Sequence, residues 1–435
     1  MSNGSRIKSV FAREIFSDRN HPGIEAIVET EDGSMGSAIA TAGQSVGKHE
    51  IKFVYDGDER YNGLGVQKAA RNVNDIIAKK IVGMDATNQR KVDEAIIGLD
   101  DTEDKSKIGG NATASVSAAV LKAGAASLGI PLYQHIGGVN ACILPTPGTI
   151  AIAGSKRYGG GERGGGKPSY ALMTYGFDSF ADASYACWKV QRTFHKNLNS
   201  LLAKKGFLTR IGGRNFLLDQ PGVFEHEKEL WQLMEDSINE AGYKKKVGFQ
   251  VDIAAGCFYN PKTDKFEGLL SKEEKTKEDL IELYKEAVRD YSLVVLEDPL
   301  DEDDYEGHAE LTREIPQILI VGDDLFTTNA KRLQEAIDVG ACNGALLKVN
   351  QIGTFSEALD YVNLAHMNGY RVMPCSSRGE GAAIADYTVG LNTGVIRESG
   401  LGDTGNRLLQ IEDELGKNAI FLGKRGLEPV YQKSL

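Results

Sequence analysis

Little in the 435 residues ties this chain to a membrane, a nucleic acid or an oxidising compartment. No apolar run approaches the ~20 residues that a membrane-spanning helix needs. The opening Met1-Ser2-Asn3-Gly4 lacks the apolar core of a secretory signal. The five cysteines, Cys142, Cys187, Cys257, Cys342 and Cys375, are odd in number and far apart, with no C-x-x-C spacing. That pattern argues against a disulfide scaffold or a zinc site and suits reduced thiols in a cytoplasm. Cations are also in deficit, with 50 Lys and Arg against 61 Asp and Glu, a net charge of −11. A nucleic-acid footprint needs clustered Lys and Arg, so no such partner is expected. A local cationic pocket for a small anion is still compatible with an acidic protein.

What is present reads as two parts. The first ~140 residues form an expected α+β domain, with strands at 6–12, 24–30 and 35–41 and helical patterns at 65–82, 89–98 and 112–128. Turn signals stand at Asn20-His21-Pro22 and Asp32-Gly33. From 141 to 435 short apolar runs alternate with helical stretches. The strands fall at 247–253, 293–297, 318–322, 344–349 and 370–375, and the helices at 277–290, 305–314, 329–338 and 354–368. This alternation marks a parallel sheet with crossover helices and favours a closed α/β barrel.

Residues 153–167 break the pattern with seven glycines interleaved with four cations. The segment reads either as a mobile surface loop or as an active-site lid, with Lys156, Arg157, Arg163 and Lys167 able to meet an anion. No Gly-Lys-Ser/Thr opens a helix after a strand, so it is not a Walker phosphate loop.

Polar residues recur at the carboxyl ends of successive expected strands: Asp252, Glu297, Asp323 and then Lys348. In an α/β barrel these ends converge on one mouth. Three carboxylates there would repel, and a hard divalent cation relieves the repulsion; oxygen-only ligands favour Mg²⁺ over zinc. A single carboxylate at a strand end is as readily a helix cap, but three in succession followed by a lysine are not. The metal's field and partial burial should lower the Lys348 pKa toward that of a working base. A base beside a metal-bound carboxylate suits abstraction of an α-proton through an enediolate.

These residues lie in segments that resemble the enolase family. The similarity is carried by Leu296-Glu297-Asp298-Pro299-Leu300, Val321-Gly322-Asp323-Asp324-Leu325 and Leu347-Lys348-Val349-Asn350-Gln351, with Asp252 as the counterpart of the first metal ligand. Ala12-Arg13-Glu14-Ile15 and Asp18-Arg19-Asn20-His21-Pro22 resemble the family's N-terminal signature. The resemblance implies an N-terminal α+β cap on a modified α/β (TIM-like) barrel, Mg²⁺ dependence, and a homo-oligomer, a dimer or an octamer.

The departures cluster on the substrate side. Where glycolytic enolases carry Ser-His-Arg-Ser-Gly-Glu, this chain has Cys375-Ser376-Ser377-Arg378-Gly379-Glu380, and Arg397 replaces the family's second active-site lysine. The catalytic-acid segment corresponds to 211–222, with Arg214, Leu217 or Gln220 in place of a glutamate. The second glutamate gives way to Tyr170-Ala171-Leu172-Met173, and Ala42 stands for a serine of the mobile loop. Asp219, Glu162 and His49 are candidate replacements for the acid. Arg19, Ser376, Ser377, Arg378 and Arg397 are the expected substrate-binding residues for a small anionic carboxylate. The resulting expectation is a Mg²⁺-dependent lyase acting on a phosphorylated or phosphonate-like acid other than 2-phosphoglycerate. The alternatives are a glycolytic enolase with an unusual site and a non-catalytic enolase-like binding protein.

Overall fold

The computed structural model describes residues 3–17, 20–43, 46–207 and 217–430. Near the N-terminus, β1 (Ile7–Phe16), β2 (Pro22–Thr30) and β3 (Met35–Thr41) form an antiparallel meander in the order β1-β2-β3. The β2–β3 turn is fixed by Asp32, which accepts from Thr30 Oγ1 (2.6 Å) and Ser34 N (2.9 Å). β1 runs past the expected end at residue 12, because Ala12 to Phe16 keep their partners from Ala26 to Pro22. The helix Gly110–Leu128 lies on this sheet, and its small residues allow a close approach. A Cβ on Gly36 of β3 would overlap Ala119 O and Ala123 N of that helix. Ile24, Ala26, Val28, Val116, Ala119 and Val120 fill the resulting core.

The larger part is a barrel. Its strands are β4 (Gly148–Ala153), β5 (Ser169–Thr174), β6 (Val247–Asp252), β7 (Leu293–Glu297), β8 (Leu319–Gly322), β9 (Gly344–Leu347) and β10 (Arg371–Pro374), in the order β10-β9-β8-β7-β6-β5-β4. From β6 to β10 every pairing is parallel. β5 is reversed, antiparallel to both β4 and β6. Residues 394–397 close the circle: Thr146 N donates to Gly394 O (3.0 Å), Ile396 N to Thr146 O (3.1 Å) and Arg397 N to Pro374 O (3.1 Å). This is a modified α/β barrel, as the sequence implied.

Successive strand side chains alternate between faces. Ala171, Met173, Val295, Leu319, Val321, Leu346, Met373, Cys375 and Val395 form a compact inner cluster. Counting two residues along each strand from this cluster puts Ser169, Glu297, Asp323, Lys348 and Arg397 on the same inner face at one mouth, and β-pairing sets Asp252 opposite Ser169 and Glu297.

Candidate active site

Glu297 and Asp252 are paired neighbours at the ends of β7 and β6. Asp323 follows β8 and Lys348 follows β9, and all four side chains are buried. The structure therefore brings the four expected strand-end residues to one mouth. Lys348 Nζ lies on Asp323 Oδ2. Arg397 Nη2 lies on Asp252 Oδ2, and its Nε is 3.2 Å from Glu297 Oε2. Gln250, one layer deeper on β6, donates to Glu297 Oε2 at 2.7 Å.

Glu297, Asp298 and Asp323 can bring one carboxylate oxygen each within 4.8 Å of the others. Asp298 also braces the backbone. Its two oxygens accept from the backbone N of Asp323 (2.9 Å) and Asp324 (2.8 Å), fixing the turn that aims Asp323 inward. Asp252 stands beside this group, against Lys167 and Arg397. Among the described residues, two buried oxygens, Asp252 Oδ1 and Glu297 Oε1, have no hydrogen-bond partner. Partnerless carboxylate oxygens are costly in a protein interior unless a cation meets them. Among the described residues, five buried carboxyl groups, Asp252, Glu297, Asp298, Asp323 and Asp324, stand with three cations, Lys167, Lys348 and Arg397. The oxygen-only donor set, its two partnerless atoms and this negative surplus fit a hard divalent cation.

Burial is the largest influence on the Lys348 pKa and lowers it, but the neighbouring Asp323, Cys375 and Glu50 together more than offset burial and leave it above the ordinary lysine value. Burial raises the Asp323 pKa, but Lys348, Arg378 and Lys167 together overcome it and hold the carboxyl low. Depression of Lys348 therefore requires a further positive charge at the carboxylates. Burial, followed by the neighbouring Asp323, pushes Asp324 up to about 7.

The 153–167 segment is the β4–β5 connection, and because β5 is reversed it lies over the mouth. Its cations divide by role. Arg157 is buried in an ion pair with Glu227 (2.5 Å), to which Tyr158 Oη also donates (2.7 Å). Arg163 Nη2 donates to Gly256 O at 3.0 Å. Lys167 reaches Asp252, while Lys156 is exposed. Gly161, at φ +70°, packs so tightly that a Cβ would overlap the Phe258 ring. The loop is thus anchored at several points, with Lys167 as its inward cation.

Of the acid candidates, Asp219 accepts from Ser155 N (2.6 Å) and Lys156 N (3.2 Å), which makes it a cap for this loop. Glu162 is exposed, and His49 Nε2 meets Asp303 Oδ1 at 2.7 Å on the exposed rim. Arg19, Gln44, Ser45 and Arg214 lie outside the described residues. Ser376 and Ser377 are half-buried after β10, and Ser377 Oγ accepts from Arg378 Nη1 at 3.2 Å. The Arg378 guanidinium is buried and clamped by Glu50 through Nη2–Oε1 (2.5 Å) and Nε–Oε2 (3.2 Å).

Sequence reasoning had not singled out Glu50, Gln250, Gln351 or Ser169. Gln351 stands three residues after Lys348 in a segment that resembles the family, and Ser169 opens a strand whose reversal periodicity does not encode.

The family model for the enolase C-terminal TIM barrel domain matches residues 167–430, and that for the enolase N-terminal domain matches 7–136. The chain belongs to the enolase family. It is 41% identical to the Enolase of Thermococcus gammatolerans, over 99% of this chain and 100% of that protein. It is 39% identical to the Enolase of Methanococcus aeolicus, over 96% and 97%, and 40% identical to that of Pyrococcus furiosus, over 98% and 99%. The chain is therefore an enzyme, a carbon–oxygen lyase of this family. The same matches overturn the expectation of a substrate other than 2-phosphoglycerate, because relatives spanning the whole chain bear the name Enolase itself. That expectation gave too much weight to motif changes in the loops around the mouth, and too little to the strand-end residues that match the family's motifs.

Proposed function

We propose that the protein catalyses the enolase reaction, the dehydration of 2-phosphoglycerate to phosphoenolpyruvate, with Mg²⁺ held by Asp252, Glu297 and Asp323. The observation that carries this reading is the buried Lys348–Asp323 contact beside the partnerless oxygens of Glu297 and Asp252. The full-length relatives named Enolase support the choice of substrate.

Lys348 is the base that removes the proton α to the substrate carboxylate. When bound, Mg²⁺ supplies positive charge that stabilises the enediolate and disfavours the Lys348 ammonium. Asp298 holds Asp323 through the two backbone hydrogen bonds. Arg397 contributes a planar fork and Lys167 a point charge, two different ways of meeting an anion. Ser376 and Ser377 offer hydroxyl donors beside them, and Arg19 is retained as a substrate cation. Arg378 acts through its pairing with Glu50. The anchored glycine loop excludes water over the mouth.

The division into a cap of about 140 residues and a barrel, a cytoplasmic location and a homo-oligomer, dimer or octamer, belong to the same reading. None of the described helices is, by itself, long and apolar enough to cross a membrane. The test is the ultraviolet absorbance of phosphoenolpyruvate formed from 2-phosphoglycerate with and without Mg²⁺. Mg²⁺-dependent product formation is expected, and no product at any Mg²⁺ concentration would refute the proposal.

A further inference from the structure

We propose that Glu50, which belongs to the N-terminal part of the chain, is a positioning residue for the base Lys348. It follows β3 in a segment laid across the barrel mouth. Lys48 N donates to Glu302 Oε2 (3.0 Å), Thr327 Oγ1 to His49 O (3.3 Å), and Gly47 N to Glu50 Oε1 (3.1 Å). The Glu50 side chain is 5% exposed, and its carboxylate closes a continuous buried relay.

On one side Glu50 is clamped by the Arg378 guanidinium, which packs so closely on Gly43 that a Cβ there would overlap it. On the other side Gln351 Nε2 donates to Glu50 Oε1 (3.2 Å) and to Asp323 Oδ1 (3.3 Å). The second oxygen of Asp323 holds Lys348 Nζ. The Gln351 carbonyl accepts from Thr328 Oγ1 (2.9 Å), whose oxygen accepts from Lys348 N (3.0 Å). Every side-chain group in this ring is buried.

The logic is one of orientation. An amide has one accepting end and one donating end. Thr328 fixes the accepting end, while two carboxylates, one from each part of the chain, share the donating end. Without Glu50 the donating end keeps only Asp323, at a stretched 3.3 Å, and loses one of the two carboxylates that hold its plane. Asp323 can then turn and carry Lys348 Nζ with it, because a buried network is set by all its members together. Displacement of a reacting group by about 1 Å is enough to cost roughly a hundredfold in rate. Glu50 therefore makes the geometry of the base depend on the N-terminal part lying in place.

The activity arm of the test rests on the enolase reading; the structural arm does not. Glu50→Gln and Glu50→Ala are assayed with 2-phosphoglycerate at saturating Mg²⁺, and their folded fraction is measured by thermal denaturation. The expected result is a fall in kcat of about tenfold to a hundredfold with KM within about twofold, the split given by a misplaced base rather than a lost binding group. The double variant Glu50→Ala/Gln351→Ala should lose no more than the worse single variant, because the two act in one relay. Wild-type kcat per folded molecule, a rise in KM alone, or additive losses in the double variant would overturn the proposal. Crystal structures of both Glu50 variants form the second arm. A turned Gln351 amide and a shifted Lys348 Nζ are expected; wild-type positions for Gln351, Asp323 and Lys348 would overturn the proposal. A wild-type enzyme inert toward 2-phosphoglycerate would count against the enolase reading, and the crystal structures would then decide the role of Glu50.

Discussion

The parallel arc of the barrel, β6 to β10, and the corner made by β4, β5 and residues 394–397 build the same mouth in different ways. Along the arc the inward residues at the carboxyl ends are Asp252, Glu297, Asp323, Lys348 and Cys375, the first four matching family motifs. At the corner the strand direction reverses. The inward residues there are Ser169 and Arg397, with Lys167 arriving from the loop. In the proposed reaction the arc holds the groups that remove a proton and stabilise an enediolate, while the corner contributes two cations and a hydroxyl, with Arg397 in the place of the family's second lysine. The difference teaches that one mouth can be assembled in two ways, from a parallel arc whose strands end in acids and a lysine and from a reversed corner that brings cations and a hydroxyl, because the two are carried by separate strands.

Substitutions on the arc should have the largest effects. Glu297→Gln and Asp323→Asn remove charged oxygens that a hard cation needs. Mg²⁺ affinity measured by calorimetry should fall by more than the roughly 10–100-fold that loss of an outer partner costs, and turnover should vanish. Unchanged affinity in both variants would break the assignment of the arc to the metal.

At the corner, stability should suffer before chemistry. Glu227→Gln leaves Arg157 charged and buried beneath the glycine loop, with Tyr158 deprived of its carboxylate. Breaking a buried pair in this way costs about 3–5 kcal/mol, which chemical denaturation would register. A loss below about 1 kcal/mol, the range of exposed pairs, would mean that the loop is not anchored there.

A smaller effect is expected from Arg397→Lys, which keeps the charge and removes the fork bridging Asp252 and Glu297. KM for 2-phosphoglycerate should rise by roughly tenfold, equivalent to ~1.4 kcal/mol of lost anion binding, with kcat changed less. An unaltered KM would remove Arg397 from substrate binding.

The smallest effect concerns neither half of the mouth. Burial depresses the pKa of His135, His195, His308 and His366. Folded values below the unfolded value of about 6.5 mean that the unfolded chain binds more protons as pH falls. The associated stability is complete above about pH 6.5 and is lost as pH drops through the folded values. The thermal midpoint should decline from about pH 7 to about pH 5, with a shallower decline in His308→Asn; a flat profile would contradict this.

The contrast between arc and corner also separates what could be read from the sequence. The helices 277–290 and 305–314 and the strand 293–297 fall where periodicity put them, because apolar runs and polar helix faces alternate cleanly there. The strand-end carboxylates were legible because each ends such a run. The strands Gly148–Ala153 and Ser169–Thr174 and the helices Phe180–Lys204 and Glu227–Glu240 were not assigned from the sequence. β5 is buried on both faces and shows no alternation, and periodicity says nothing of direction. The Glu50–Arg378 pair spans 328 residues and only the fold could supply it. The approach of Lys348 to Asp323 was not legible for a related reason: it is a matter of geometry, and it raises the Lys348 pKa against burial.

The role of Lys348 as the base that takes the α-proton is the claim on which the rest depends. Wild type and Lys348→Ala, each with Mg²⁺ and 2-phosphoglycerate in D₂O, can be followed by NMR at the substrate's α-position. Exchange and turnover are expected in wild type and the loss of both in Lys348→Ala, with its Mg²⁺ affinity measured separately by calorimetry. Equal α-proton exchange in the two proteins would contradict that role.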